Sequence, residues 1–147
     1  MFFLKDLPTP AMTSKYARFF APVEPEQIVG VLADLRRASL TIRRLEAYFR
    51  ENDFSLLRFL ILIIIDREPE KEALQFSEIV EKVDVSKPVV TRTIKSLLED
   101  DLLMLRCEGS DKRMKMYALS KEGRSRLESL FPGYFKLLGD AAEGESS

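Results

Sequence analysis

The sequence predicts a mainly α fold with a small β-hairpin, an α+β winged helix-turn-helix, and three observations carry that prediction. The run Ser86-Lys87-Pro88-Val89-Val90-Thr91-Arg92-Thr93-Ile94-Lys95 reads as a capped helix with one apolar face and one basic, acid-free face. Two strand-like runs follow, Leu102 to Arg106 and Met114 to Leu119, flanking the charged segment Cys107-Glu108-Gly109-Ser110-Asp111-Lys112-Arg113. Upstream, Glu26 to Arg50 keeps apolar side chains at helical spacing over a long stretch.

Taken in order, Met1 to Pro25 holds four of the seven prolines and two apolar clusters, Phe2-Phe3-Leu4 and Tyr16 to Phe20, and reads as an arm with room for a short helix. In Glu26 to Arg50 a stripe of Ile28, Leu32, Leu35, Ser39, Ile42 and Phe49 has many arginines beside it, the pattern of an amphipathic helix. Asn52-Asp53 breaks this helix and is placed to cap the next, Phe54 to Asp66, which Pro69 closes off. Leu74 to Phe76 is expected as a short strand, and Ser77 to Val83 as a short helix before a turn at Asp84.

Ser86 can accept from the free N–H groups that open the basic helix, and Pro88 is tolerated there because its missing N–H would have gone unpaired. Val90, Ile94, Leu97 and Leu98 then face a core, leaving Lys87, Thr91, Arg92 and Lys95 on the other side. Gly109 and Ser110 supply the hairpin turn, with Arg106, Lys112, Arg113 and Lys115 around it. Lys121 to Phe131 is helical, Pro132-Gly133 is expected to interrupt it, and Tyr134 to Ala141 to resume it. Gly144 to Ser147 is expected to be disordered.

Composition narrows the function. A chain of 147 residues, 46% apolar, is one domain able to bury a real core. Its net charge of −1 argues against indiscriminate polyanion binding, yet from Ser86 to Arg124 nine Lys and Arg stand against six Asp and Glu. That local excess suits salt-sensitive binding to a phosphate-lined groove. With one cysteine and no histidine, an internal disulfide is impossible and the usual zinc-ligand clusters are absent. Met1-Phe2-Phe3-Leu4 is too short for a signal-peptide core, and Phe59 to Ile65 is far shorter than the ~20 residues of a membrane span. A soluble, cytoplasmic protein without cofactor or metal is expected. An enzyme is not, because a histidine base, a phosphate-binding glycine loop and a metal cluster are all missing.

Several segments, in order, resemble the MarR family, the multiple-antibiotic-resistance regulators of bacteria and archaea. Val85-Ser86-Lys87-Pro88 with Val90-Thr91-Arg92 looks like the family's recognition helix, and Asp111-Lys112-Arg113 like its D-x-R wing. Ala118-Leu119-Ser120-Lys121-Glu122-Gly123 resembles its strand-to-helix junction, so the likeness spans Leu56 to Leu130. Two departures are Asp84 and Asp101, where the pattern has glycine; Asp tolerates left-handed backbone better than most residues, which questions turn geometry more than fold. The resemblance implies a homodimer in which residues 1–50, an arm and long helix, and residues 121–142 form the dimer. Residues 51–120 would be the DNA-binding lobe and 143–147 a tail. It further implies a sequence-specific transcriptional regulator, a repressor relieved by a small aromatic or anionic effector. A dimer would place two recognition helices about 34 Å apart on a pseudo-palindromic site in double-stranded DNA.

The expected DNA contacts are Ser86 on a phosphate, and Lys87, Pro88, Thr91, Arg92 and Lys95 in the major groove. Arg92 or Lys95 would read a guanine edge, while Val89 and Thr91 would touch thymine methyls. Lys112, Arg113 and Lys115 are the expected wing contacts, and Asp111 either pairs with a neighbouring arginine or serves only the turn. Arg58 is the one charge in an apolar segment and requires a partner. Either it pairs with an acid of the first long helix such as Glu46, or reaches water, or it anchors an anionic effector together with Tyr48, Phe49 and Arg43. Cys107 reads as a small strand residue, although Arg106 and Lys112 nearby could lower its pKa; the resemblance does not extend to redox sensing. Glu99-Asp100-Asp101 reads as a solvated helix end, which opposes the helix dipole and has no explanation in the sequence. The competing reading is a winged helix used for protein–protein interaction without sequence-specific DNA binding. Acids in place of Lys87, Arg92 and Lys95 would have favoured it.

Overall fold

The computed structural model of the chain describes residues 2–107 and 114–144. The hairpin tip, with Gly109, Ser110, Asp111, Lys112 and Arg113, and the last three residues lie outside the described residues. The elements are α1 (Pro10–Phe20), α2 (Pro25–Glu51), α3 (Leu56–Asp66), β1 (Ala73–Gln75), α4 (Phe76–Val80), α5 (Lys87–Glu99), β2 (Leu103–Cys107), β3 (Lys115–Leu119) and α6 (Lys121–Glu143). The strands form an antiparallel sheet ordered β1-β3-β2, in which Tyr117 of β3 stands opposite both Leu74 and Leu105. The mainly α winged helix-turn-helix read from the sequence is the fold.

The core lies where α2, α3, α5 and α6 meet the sheet. Phe49, Phe59, Ile61, Leu62, Ile65, Leu97, Leu127 and Leu130 are fully buried there. The Phe59 ring lies 4.7 Å from Phe49 and 4.6 Å from Tyr134, welding the end of α2 to α3 and α6. Helix α3 contacts α2, α4, α5, α6 and β3, which is why its sequence is apolar almost all round.

Three local expectations are corrected. Asn52 and Asp53 do not cap α3; Ser55 does, its hydroxyl accepting from the Arg58 N–H at 3.2 Å. Asp53 instead closes α2 with a left-handed φ of 54°, and the N–H groups of Asp53 and Phe54 return to the carbonyls of Arg50 and Phe49. Asp101 does the same after α5 with φ 56°, the N–H groups of Asp101 and Leu102 returning to Leu98 and Leu97. Both are helix-ending motifs in which glycine is usual and an Asx residue is tolerated. Asp84 is not left-handed, so its turn did not need the glycine. Secondly, α4 stops at Val80, short of the expected Val83, as the chain turns and Lys82 pairs with Glu68 at 3.2 Å.

Thirdly, α6 runs unbroken through Pro132-Gly133. A proline inside a helix costs about 3 kcal/mol, and here burial of Leu127 and Leu130 before it and packing of Phe131 and Tyr134 around it offset that cost. Gly133 is a packing residue: a Cβ there would lie 2.3 Å from the Tyr48 ring. The ring is held in place because its hydroxyl donates to the Leu130 carbonyl at 3.0 Å.

Glu78 closes the start of α4. One carboxylate oxygen accepts from the Gln75 N–H at 2.7 Å and the other from Lys71 Nζ at 2.6 Å. The Lys71 ammonium first, then the Gln75 N–H, hold its pKa below the usual carboxylate range. A folded pKa below the unfolded one contributes stability above the unfolded value and loses it as pH falls through the folded one. Glu78→Gln is therefore expected to melt roughly 2 °C below wild type at pH 7, a loss of about 0.5 kcal/mol at a helix start. Once the pH has fallen through the lowered pKa of folded Glu78 the two proteins should melt together, since both then carry a neutral side chain. A gap that persists unchanged in acid would assign the effect to shape rather than charge.

Candidate nucleic-acid interface

Helix α5 is divided along its length. Val90, Ile94 and Leu97 are buried against α3 and the sheet, while Lys87, Pro88, Thr91, Arg92 and Lys95 are exposed. The i, i+3, i+4 spacing of the apolar residues forces this division. Ser86 stands at the N-cap, but its hydroxyl makes no capping bond, so the expected cap contact is absent and that oxygen is left for another donor. The Thr91 hydroxyl donates back to the Lys87 carbonyl at 3.0 Å. Val89 is half-buried, presenting less of itself than the sequence suggested. Lys95 pairs loosely with Glu99 at 3.8 Å, both side chains being exposed. Among the described residues neither Lys87 nor Arg92 has an acidic partner.

Of the hairpin cations, Lys115 is exposed at the start of β3, opposite Cys107. Arg106 is engaged, its guanidinium donating to Glu72 at 3.2 Å, which ties β2 to the segment before β1. Lys112 and Arg113 lie outside the described residues. Cys107 ends β2 as an exposed free thiol.

The acids at the end of α5, unexplained in the sequence, each have a place. Glu99 faces Lys95, and Asp101 makes the left-handed turn. Asp100 accepts from the Arg58 guanidinium at 2.5 Å. This is the partner Arg58 required, so the expected pairing with Glu46 is replaced by one with the helix that carries the basic face. The turn is fastened to α6 by Ser120, whose hydroxyl donates to the Asp101 carbonyl at 2.6 Å and accepts from the Gly123 N–H at 2.9 Å. An arginine in an apolar run followed by an acid cluster was the available signal for this contact; chain distance hid which acid.

The four residues grouped as an effector site are not brought together. Phe49 is fully buried in the core, Tyr48 is packed on Gly133, and Arg58 faces α5. Arg43 alone lines an open cleft of about 580 Å³, shared with Phe2, Leu35, Ala38, Ser39, Ile42 and Glu46. Among the described residues no group of His, Cys, Asp and Glu is placed to hold a metal ion, and no helix is long and apolar enough to cross a membrane.

Residues 52–114 match a family model described as MarR family. The HTH-type transcriptional repressor YetL of Bacillus subtilis is 25% identical over 143 residues, which cover 97% of this chain and 85% of that protein. Sco3205, a MarR family transcriptional regulator from Streptomyces coelicolor solved in complex with DNA, superimposes with a TM-score of 0.71 at 18% identity, covering 81% of this chain and 74% of that one. BpsR of Bordetella bronchiseptica, whose DNA binding is regulated by 6-hydroxynicotinic acid, gives a TM-score of 0.64 at 18% identity over 77% of this chain and 78% of that one.

Proposed function

We propose that this chain, a transcriptional regulator of the MarR family and not an enzyme, acts in the cytoplasm as a homodimeric repressor. It would bind a pseudo-palindromic operator in double-stranded DNA through α5 and the hairpin, and release it when a small aromatic or anionic molecule binds. One observation carries the reading: the outward face of α5 offers Lys87, Thr91, Arg92 and Lys95 to a groove, with no acid among them, while its inward face is locked into the core. Ser86, with its free hydroxyl, and Pro88 and Val89 complete the helix start. Lys115 and, by sequence, Lys112 and Arg113 supply the wing.

The dimer is supported by apolar surface that one chain leaves uncovered. Helix α1 buries none of its residues and exposes Met12, Tyr16, Phe19 and Phe20, and α2 exposes Val31, Leu35 and Ile42. Patches of this kind mark interfaces, and pairing gives two recognition helices, which one small module needs for a specific site. Repression follows the naming of YetL, and an aromatic acid as effector follows BpsR. The Arg43 cleft, largely apolar with Arg43 as its one cation and Glu46 beside it, is where we assign such a molecule.

The test is a titration of the purified protein against DNA flanking its own gene, with random duplex as competitor, at two salt concentrations. Competitor-resistant binding at two protomers per site, weakening with salt, is the expected result. Added 6-hydroxynicotinic acid should release the wild type but not a DNA-binding Arg43→Ala variant. Binding that random duplex abolishes would favour the protein-interaction reading instead.

A further inference from the structure

The geometry points to Arg58 as a positioning residue for the recognition helix, acting through Asp100 rather than by touching DNA or a ligand. The inference rests on the reading that α5 binds DNA. Arg58 rises from the first turn of α3 with its side chain only 18% exposed, and its guanidinium lies 4.7 Å from the centre of the Phe54 ring while donating to Asp100 Oδ2 at 2.5 Å. A second guanidinium, that of Arg126 in α6, lies 5.2 Å from the centre of the same ring and donates to the Asn52 carbonyl. Phe54 itself is fixed at the corner between α2 and α3 by its N–H on the Phe49 carbonyl at 2.8 Å. Two arginines and one ring therefore join the end of α2, the side of α6 and the C-terminus of α5.

Stability alone does not account for the arrangement. Arg58 Nε is buried with no hydrogen-bond partner, which is unfavourable, and an apolar side chain of similar length would fill the space without that defect. What an apolar residue would not supply is a directional bond to α5. The contact holds the end of the recognition helix against the corner from which α2 and α6, the helices assigned to the dimer, depart. It thereby sets the angle at which α5 is presented.

The sign of the effect separates this from simple electrostatics. Asp100 is an anion on a DNA-binding helix, so removing its charge should strengthen binding to phosphates unless the residue is needed for position. Asp100→Asn, Asp101→Asn, Arg58→Met and the Arg58→Met/Asp100→Asn double variant of the full chain would be titrated against the wild-type operator over a salt series, with melting temperatures alongside. Asp100→Asn and Arg58→Met are each expected to weaken operator binding roughly fivefold to tenfold, a usual size for coupling between sites, and the double variant no further. The salt slope should stay at the wild-type value, because no phosphate contact is lost. Asp101→Asn, an equal change of charge one residue away, should bind as wild type or tighter. If Arg58→Met fails to fold, Asp100→Asn still decides, since Asp100 is more than half exposed. Binding by Asp100→Asn as tight as by Asp101→Asn would overturn the inference, and so would a flattened salt slope in Arg58→Met, which would make Arg58 a direct phosphate contact. Failure of the wild type to bind any operator would show itself before the variants are compared and would overturn the DNA-binding reading and this inference together.

Discussion

Gly123→Ala is expected to lower the melting temperature by about 10 °C, corresponding to about 3 kcal/mol, the upper part of the usual range for overpacking. A Cβ at residue 123 would stand 1.9 Å from the carbonyl oxygen of Leu102 and 2.9 Å from its carbon. The obstacle is backbone, and it is held from several sides. The Leu102 carbonyl accepts from the Ser120 N–H at 3.1 Å, and Leu102 N–H is bound to Leu97 at 2.9 Å in the motif that ends α5. Relief of the clash must shift either the first turn of α6 or the turn after α5, and each carries the Ser120 bonds with it. Gly139→Ala, in the same helix with nothing within 4 Å of the added carbon, is the control. It should stabilise slightly, by about 0.5–1 kcal/mol, because alanine is the better helix former. Equal melting temperatures for the two variants would show that the junction yields without cost.

That junction shows what was and was not legible in the sequence. The faces of α5 and the hairpin strands were readable because each rests on a period of a few residues, and periodic burial writes itself locally. Ser120-Lys121-Glu122-Gly123 is visible as a pattern, but the reason for its glycine lies in Leu102, on the far side of the hairpin. Arg58 requires an acid by its apolar setting, and the cluster at the end of α5 offers several without marking which; the two meet only where α3 and α5 pack, 42 residues apart. Pro132-Gly133 departs from its local preference for the opposite reason. Locally the pair is a helix breaker, and tertiary packing of Tyr48, Phe59, Phe131 and Tyr134 overrode that preference. Asn52-Asp53 ends α2 rather than starting α3, and sequence does not separate the two because the same residue types start helices with side-chain bonds and end them with left-handed backbone. Which of Arg43, Tyr48, Phe49 and Arg58 share a surface is not legible in sequence, because aromatic residues next to an arginine look alike whether they line a cleft or fill a core.

Arg92→Ala is expected to weaken operator binding by about 10- to 100-fold while changing affinity for random duplex far less. Arg92 sits near the middle of the exposed face of α5, one turn from Pro88, and no described acid competes for it. A guanidinium there can make the bidentate contact to a guanine edge, which discriminates by about 1–3 kcal/mol. Lys87, exposed at the helix start, is expected to meet the phosphates that line the major groove rather than a base edge. Lys87→Ala should weaken operator and random duplex alike and reduce the salt slope by about one. Lys95 is the rival for base reading. Its pair with Glu99 is exposed and 3.8 Å long, so it holds the lysine by no more than about 1 kcal/mol and could be given up on DNA. The comparison across operators decides between them. If Arg92→Ala loses equally on every sequence, Arg92 is another phosphate contact and the base-reading role passes to Lys95. If its loss concentrates at particular base pairs, the planar fork of Arg92 is what distinguishes this operator from its neighbours.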